Sequence, residues 1–177
     1  MKKTIIAVVG GKKSGKTTAV ETLTKEITRR GYIVATVKHI PEPNFTVDTE
    51  GKDTWRFAQA GAKTIVAVSA DEIAAIEKTD TRNLSLKEIL RKCKGNDLIL
   101  VEGFRKAVGK NRDIYKIVVV KSAEEAKEAL KSFSPILAFT GSFSAANLNL
   151  GAPYFDSLKN INKMADIVEK IMKKRSS

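Results

Sequence analysis

The feature that most limits what this chain can become is Gly10-Gly11-Lys12-Lys13-Ser14-Gly15-Lys16-Thr17, placed directly after the apolar run Ile5, Ile6, Ala7, Val8 and Val9. The eight residues fit G-x-x-x-x-G-K-[ST]. In such a loop the glycines let successive backbone N–H groups turn inward, and the following helix aims its positive dipole end at the same point. A strand must therefore end where a helix begins, leaving a cradle for a polyphosphate between them. Lys16 is placed to reach β- and γ-phosphates, and the Thr17 hydroxyl to join the coordination of a Mg²⁺ that bridges phosphate oxygens.

The 177 residues suffice for one domain with a full hydrophobic core, and residues 1–177 are expected to form a single nucleotide-binding domain. Lys and Arg outnumber Asp and Glu by 32 to 20, a net charge of +12. Anionic partners such as nucleotides or phosphorylated cofactors suit this excess, but without a clustered patch it equally describes a solvated surface, and a nucleic-acid role has only the charge to support it. Cys93 is the only cysteine, which excludes an intramolecular disulfide and a Cys-based zinc site and fits a reducing cytoplasm. No apolar stretch approaches membrane-spanning length.

Hydrophobic periodicity predicts a buried strand over Thr4 to Val9, then a helix over Lys16 to Arg30 with Ala19, Val20, Leu23 and Ile27 on one face, then a strand over Tyr32 to Lys38. Two strands joined by a helix within about 35 residues imply a right-handed parallel crossover. His39 to Glu50 reads as a long loop at a strand's carboxyl end, where ligands bind in open α/β sheets. A short helix over Gly51 to Ala60 follows, with strands over Lys63 to Ser69 and Glu72 to Lys78, the latter an antiparallel edge. Ser85 and Glu88 form a capping box for a helix with Leu86, Ile89, Leu90 and Cys93 inward. Asp97 to Val101, Ile114 to Val120 and Pro135 to Thr140 are further strands. Ser122 with Glu125 caps a helix carrying Ala126, Ala129 and Leu130. A closing helix over Ile161 to Lys173 turns Ile161, Met164, Ala165, Val168, Ile171 and Met172 inward, and the tail over residues 172–177 is expected to fray. The alternation predicts an α/β fold, a three-layer P-loop NTPase arrangement with a mostly parallel central sheet flanked by helices.

Phosphate chemistry needs a carboxylate near the magnesium and the γ-phosphate, and the strand over Leu98 to Val101 delivers Glu102, followed by Gly103. Glu102 is the candidate catalytic residue and, with Thr17, the candidate metal-side residue: it binds Mg²⁺ through a water or orients an attacking water. Asp97 lies at the opposite end of that strand. The loop after the second strand gathers Lys38, His39, Asp48, Lys52, Asp53, Thr54 and Arg56. Each has a structural alternative of equal weight: Asp48 as a helix cap, Asp53 as an answer to the helix dipole, His39 as a donor to a backbone carbonyl.

Three segments together carry a family resemblance. Ser14-Gly15-Lys16-Thr17-Thr18, then Val37-Lys38-His39 with Phe45-x-x-Asp48-x-x-Gly51-Lys52-Asp53-Thr54-x-Arg56 and Ala60-Gly61-Ala62, then Leu100-Val101-Glu102-Gly103-Phe104-Arg105 are similar to the molybdopterin-guanine dinucleotide biosynthesis protein B (MobB) family in order and spacing. Beyond residue 105 the likeness is generic. The resemblance implies a homodimeric, cytoplasmic GTP-binding protein with slow Mg²⁺-dependent hydrolysis. Its partner would be a guanylyltransferase that converts molybdopterin to its guanine dinucleotide in molybdenum or tungsten cofactor synthesis. Carried over by position, Gly11, Lys12, Lys13, Ser14, Gly15, Lys16, Thr17 and Thr18 would hold phosphates. Thr17 and Glu102 would serve the magnesium, and Lys38, His39, Asp48, Lys52, Asp53 and Arg56 would line the neighbouring face.

Some positions depart from related patterns. The signature lysine of MinD-like loops would fall at Gly11, whereas the lysines here stand at 12 and 13. The usual guanine-reading Asn-Lys-x-Asp is missed by one residue in Asn162-Lys163-Met164-Ala165-Asp166, inside a predicted core helix. Thr140-Gly141-Ser142 is either a base contact or a simple Gly turn. The alternatives are a small-molecule kinase with its acceptor over the Lys38 to Arg56 loop, and a nucleotide-gated metallochaperone, for which one histidine and one cysteine supply few ligands.

Overall fold

In the computed structural model, residues 3–141, 149–156 and 159–176 are described. In chain order the elements are β1 (Thr4–Gly10), α1 (Lys16–Arg29), β2 (Val34–Lys38), α2 (Asp53–Gln59), β3 (Thr64–Val68), β4 (Ile73–Glu77), α3 (Leu86–Arg91), β5 (Leu98–Glu102), α4 (Arg105–Val108), β6 (Tyr115–Val119), α5 (Ala123–Ser132), β7 (Ile136–Gly141), β8 (Tyr154–Asp156) and α6 (Ile161–Ser176). The chain divides into two compact units, residues 1–39 with 89–177, and residues 40–88.

The first unit is built on a six-stranded sheet in the order β2-β5-β1-β6-β7-β8, every neighbouring pair parallel. Because strand side chains alternate, Ile6, Val8, Leu98, Leu100, Ile117 and Val119 fall on one face, where they pack with Ala19, Val20, Leu23 and Ile27 of α1 and Met164, Ala165, Val168 and Met172 of α6. Ala7, Val9, Ile99, Val101 and Val118, on the opposite face, are just as buried. A parallel sheet buried on both faces explains why these strands read as unbroken apolar runs. This is the expected three-layer α/β fold.

Polar groups pin the frame. Asp97 accepts the Ile33 N–H at 2.8 Å and so fixes the start of β2, at the sheet end away from the loop of residues 10–17. Lys116 is fully buried on β6, and its ammonium donates to the carbonyls of Asn111 (2.6 Å) and Ser134 (2.5 Å); burial pushes its pKa down to about 8. The capping at Ser122 is as expected, its hydroxyl accepting from the Glu125 N–H.

Several expectations are corrected. β4 is antiparallel but pairs with β3 alone, in a separate two-stranded sheet of the second unit, and is no edge of the main sheet. A connection as tight as Ser69 to Glu72, closed by Ser69 N–H to Glu72 O at 2.9 Å, can only make a hairpin. α2 starts at Asp53 because Gly51 takes a left-handed φ of 83°. Cys93 lies past the end of α3 and is half-buried, while Leu130, one turn after Ala126 on α5, is exposed. α6 extends to Ser176, beyond the predicted end at Lys173, and Arg175 donates to the Asp113 carbonyl at 2.7 Å and lies over the Tyr115 ring. α4 and β8 are additions, one turn and three residues long, too short to show a period.

Candidate functional site

β1 ends at Gly10, whose missing side chain is a steric requirement: a Cβ there would lie 2.3 Å from the Val119 carbonyl and 2.7 Å from Ser14 Oγ. The loop then reverses through left-handed backbone at Lys13 (φ 54°) and Gly15 (φ 94°), which stands at the N-cap of α1. The Lys16 ammonium folds back to the Gly11 carbonyl at 2.5 Å. Burial pulls its pKa below the usual lysine value; Glu102 opposes the shift, while Arg105, Lys38 and Lys121 add to it. Four cations therefore share the field at this strand end. Ser14 Oγ is buried without a hydrogen-bond partner among the described residues, an orphaned polar atom inside the loop. A concave backbone turn, a recessed ammonium and an unpaired hydroxyl fit a polyphosphate.

Glu102 ends β5, between β2 and β1 in the sheet, opposite Lys38 on one side and Val8 on the other. Its carboxylate is nearly buried and accepts the Thr17 hydroxyl at 3.1 and 3.2 Å. A threonine hydroxyl and a carboxylate in contact at the first turn of α1 are a donor set suited to a hard, oxygen-ligated ion such as Mg²⁺. Lys38 donates to Thr17 Oγ1 at 3.3 Å and lies 3.4 Å from Glu102 Oε1. Next to it, the His39 N–H bonds the Glu102 carbonyl at 3.0 Å, and the His39 ring rests 4.9 Å from that of Phe104. Gly103 and Phe104 are both left-handed, with φ of 90° and 53°, and a Cβ on Gly103 would meet the His39 Cβ at 3.1 Å.

Of the residues singled out from sequence, Gly11, Ser14, Lys16, Thr17, Lys38, His39 and Glu102 thus converge on the carboxyl ends of β1, β2 and β5. Lys12, Lys13 and Thr18 point to solvent from the same loop and helix start. Asp48, Lys52, Asp53 and Arg56 belong to the second unit. There Asp48 does not cap α2, whose N-cap is Lys52: it accepts the Thr54 hydroxyl at 2.8 Å and the neighbouring Thr49 N–H at 2.9 Å. Asp53 sits in the first turn of α2, 3.6 Å from Arg56. Arg105 and Lys121 join the site without an assigned role from sequence: Arg105 closes the Leu100 to Arg105 segment that carries the family resemblance, and Lys121 stands just past the buried strand β6. Asp166, of the near-match to a guanine motif, is paired with Arg30 at 2.7 Å. Of the Thr140-Gly141-Ser142 candidate, Ser142 lies outside the described residues; Thr140 is buried with its hydroxyl on the Phe155 carbonyl at 2.7 Å. Among the described residues no cluster of three His, Cys, Asp or Glu could hold a metal, and no helix is long and apolar enough to cross a membrane.

Comparison with known proteins finds relatives of this sequence and this fold. A relative from Methanocaldococcus jannaschii, named for molybdopterin-guanine dinucleotide biosynthesis, is 34% identical over 121 residues, which is 68% of this chain and 48% of the relative. The Haemophilus influenzae molybdopterin-guanine dinucleotide biosynthesis adapter protein is 36% identical over 103 residues, 57% of each chain. The chain thus spans about half the length of these two curated relatives. A crystal structure of molybdopterin-guanine biosynthesis protein B superposes with a TM-score of 0.73 at 27% identity, covering 96% of this chain and 99% of that one. The family model described as molybdopterin guanine dinucleotide synthesis protein B matches residues 5–141. With a nucleotide-binding P-loop, the parallel sheet and that match over most of its length, the chain belongs to the MobB family.

Proposed function

We propose that this protein is a GTP- and Mg²⁺-binding adapter, and at most a slow GTPase, that assists a guanylyltransferase in converting molybdopterin to its guanine dinucleotide. The observation that carries the reading is the contact of Glu102 with the Thr17 hydroxyl, one residue from the recessed Lys16. In this reading Gly11 to Thr18 hold the phosphates, Lys16 neutralises their charge, and Ser14 Oγ gains a partner. Thr17 and Glu102 would hold the metal, which would supply positive charge to offset that of the phosphates. Glu102 also orients water, and its near burial lets it do so in a site of low dielectric.

Lys38 and His39 border this site, and in the second unit Lys52 and Arg56 are proposed as contacts to an anionic ligand, the pterin or its dinucleotide, with Asp48 and Asp53 lining the same face beside Thr54 and Arg56. Residues 1–177 are proposed to act as one nucleotide-binding domain, in a cytoplasmic homodimer. The names of the relatives and the family match support the pathway; the chemistry of the loop supports the nucleotide.

The test is a titration of wild-type and Lys16→Ala protein with GTP and with ATP in Mg²⁺, followed by an assay of guanylyl transfer by the partner enzyme with and without wild-type protein. GTP is expected to bind the variant at least about tenfold more weakly, since one charge-assisted phosphate contact is lost. Unchanged affinity would sink the nucleotide half of the reading, and an unaltered transfer rate the adapter half.

A further inference from the structure

Lys38 is the last residue of β2 and stands directly opposite Glu102 in the register. Register partners in a parallel pair project from the same face of the sheet, here the face on which α1 packs. The His39 N–H on the Glu102 carbonyl holds that register one residue further. The Lys38 ammonium therefore reaches, on a half-exposed side chain, to 3.3 Å from Thr17 Oγ1 and 3.4 Å from Glu102 Oε1. Those two atoms are themselves 3.1 Å apart. A positive charge thus contacts both members of the pair that the proposed function gives to Mg²⁺.

Each group is satisfied by the arrangement. A carboxylate with 11% of its side chain exposed needs a counter-charge, and Lys38 supplies one. The Thr17 hydroxyl donates to Glu102 and accepts from Lys38, so both of its functions are used. An ammonium on a four-carbon stem can leave by rotating its own bonds, with no movement of β2. It cannot stay: a divalent ion in contact with the same two oxygens would repel a charge this close.

We propose that Lys38 is a placeholder cation, which holds the Thr17–Glu102 pair in the metal-free protein and yields its position when Mg²⁺ arrives with the nucleotide. The proposal rests on the reading of Thr17 and Glu102 as magnesium-side residues and adds how that site is controlled. Metal entry becomes an exchange of one cation for another. Mg²⁺ alone, without phosphate oxygens to complete its coordination, then competes poorly with a tethered ammonium. Nucleotide and metal load together, and each raises the affinity for the other by the same factor.

The experiment follows GDP binding by calorimetry to full-length wild-type, Lys38→Met and Lys38→Arg proteins as Mg²⁺ is raised from an EDTA-buffered start. In Lys38→Met, the Mg²⁺ concentration giving half of the metal-dependent gain in GDP affinity is expected to fall about tenfold, because the competitor is gone. In Lys38→Arg, which keeps the charge, it should stay within about threefold of wild type. Without nucleotide and in EDTA, Lys38→Met should melt below wild type, and the two should converge in saturating Mg²⁺ and GDP. A half-point that is unchanged or raised in Lys38→Met overturns the placeholder role. A wild-type protein whose GDP affinity ignores Mg²⁺ would remove the magnesium-side reading itself, and this proposal with it, an outcome recognised without any variant.

Discussion

Gly10 and Gly11 are adjacent glycines under different constraints. At Gly10 an added methyl meets the Val119 carbonyl and Ser14 Oγ, whereas at Gly11 the nearest atom is Glu125 Oε1 at 3.9 Å, an ordinary contact. Gly10→Ala is therefore expected to lower the free energy of unfolding by about 1–3 kcal/mol, the usual penalty of overpacking, measured by denaturant titration. Nucleotide affinity should fall with it, since β1 and β6 can make room only by shifting the loop. Gly11→Ala should leave stability nearly unchanged, and equal losses at the two positions would refute the steric account.

At this scale the sequence was informative wherever a motif fixes chemistry by spacing. Lys16, Thr17 and Glu102 were legible because a phosphate loop demands the first two and a buried strand delivers the third to the same sheet edge. The contact of Lys38 with both Thr17 and Glu102 was not legible, because it depends on β2 lying beside β5, a neighbour 60 residues away along the chain. Lys121 was illegible for the same reason, while Arg105 stood in a recognised segment without a role.

Between elements, the joint of α1 and α6 is electrostatic as well as apolar. Arg30 at the end of α1 reaches Glu26 at 2.8 Å, Asp166 at 2.7 Å and Glu169 at 2.9 Å, and Tyr32 adds its hydroxyl to Glu169 at 3.0 Å. Hydrogen bonds from Arg29 and Arg30 draw the Glu26 pKa from the usual 4.5 to about 2, and those from Lys173, Arg30 and Tyr32 do the same for Glu169. Carboxylates held below their unfolded value add stability that is complete above about pH 4.5 and drains away as pH falls towards 2. Glu26→Gln should therefore melt below wild type at pH 7, and its melting temperature should drop less than wild type's between pH 4.5 and 2.5. A parallel drop in both proteins would show that the joint carries no such linkage.

The long elements could be read from their periods, and α6 was underestimated only at its basic end, where Arg175 finds a carbonyl and a ring far away in sequence. The hairpin of β3 and β4 was legible as two strands; its separation from the main sheet was not, because strand periodicity reports a buried face and says nothing of which strand is the neighbour.

For the molecule as a whole, the alternation of strands and helices was enough to give the α/β class, since few arrangements can bury continuous apolar strands on both faces. The division into two compact units is marked in composition at one boundary only: Pro41 and Pro43, two of the chain's four prolines, stand where residues 40–88 begin, and no Gly-, Ser- or Pro-rich stretch marks their end. The excess of 12 positive charges is also a property of the whole, and Lys16 with the three cations around it, Lys38, Arg105 and Lys121, is its local expression.

Gly10, Lys38 and Glu102 terminate three strands, β1, β2 and β5, that are joined edge to edge by hydrogen bonds, with β5 in the middle. A site made of strand ends has no hinge of its own. Openings that take it apart must part strands whose residues Ile99, Leu100 and Val101 are wholly inaccessible. Bound nucleotide should then be felt by the slowest-exchanging amides of the protein. Deuterium uptake at Leu98 to Val101 is expected to slow as GTP and Mg²⁺ are raised, by about tenfold for each tenfold of ligand above saturation. If only the loop of residues 10–17 gained protection, the site would be opening independently of the sheet. Occupancy of the phosphate loop would otherwise be readable from the opening equilibrium of the entire parallel sheet.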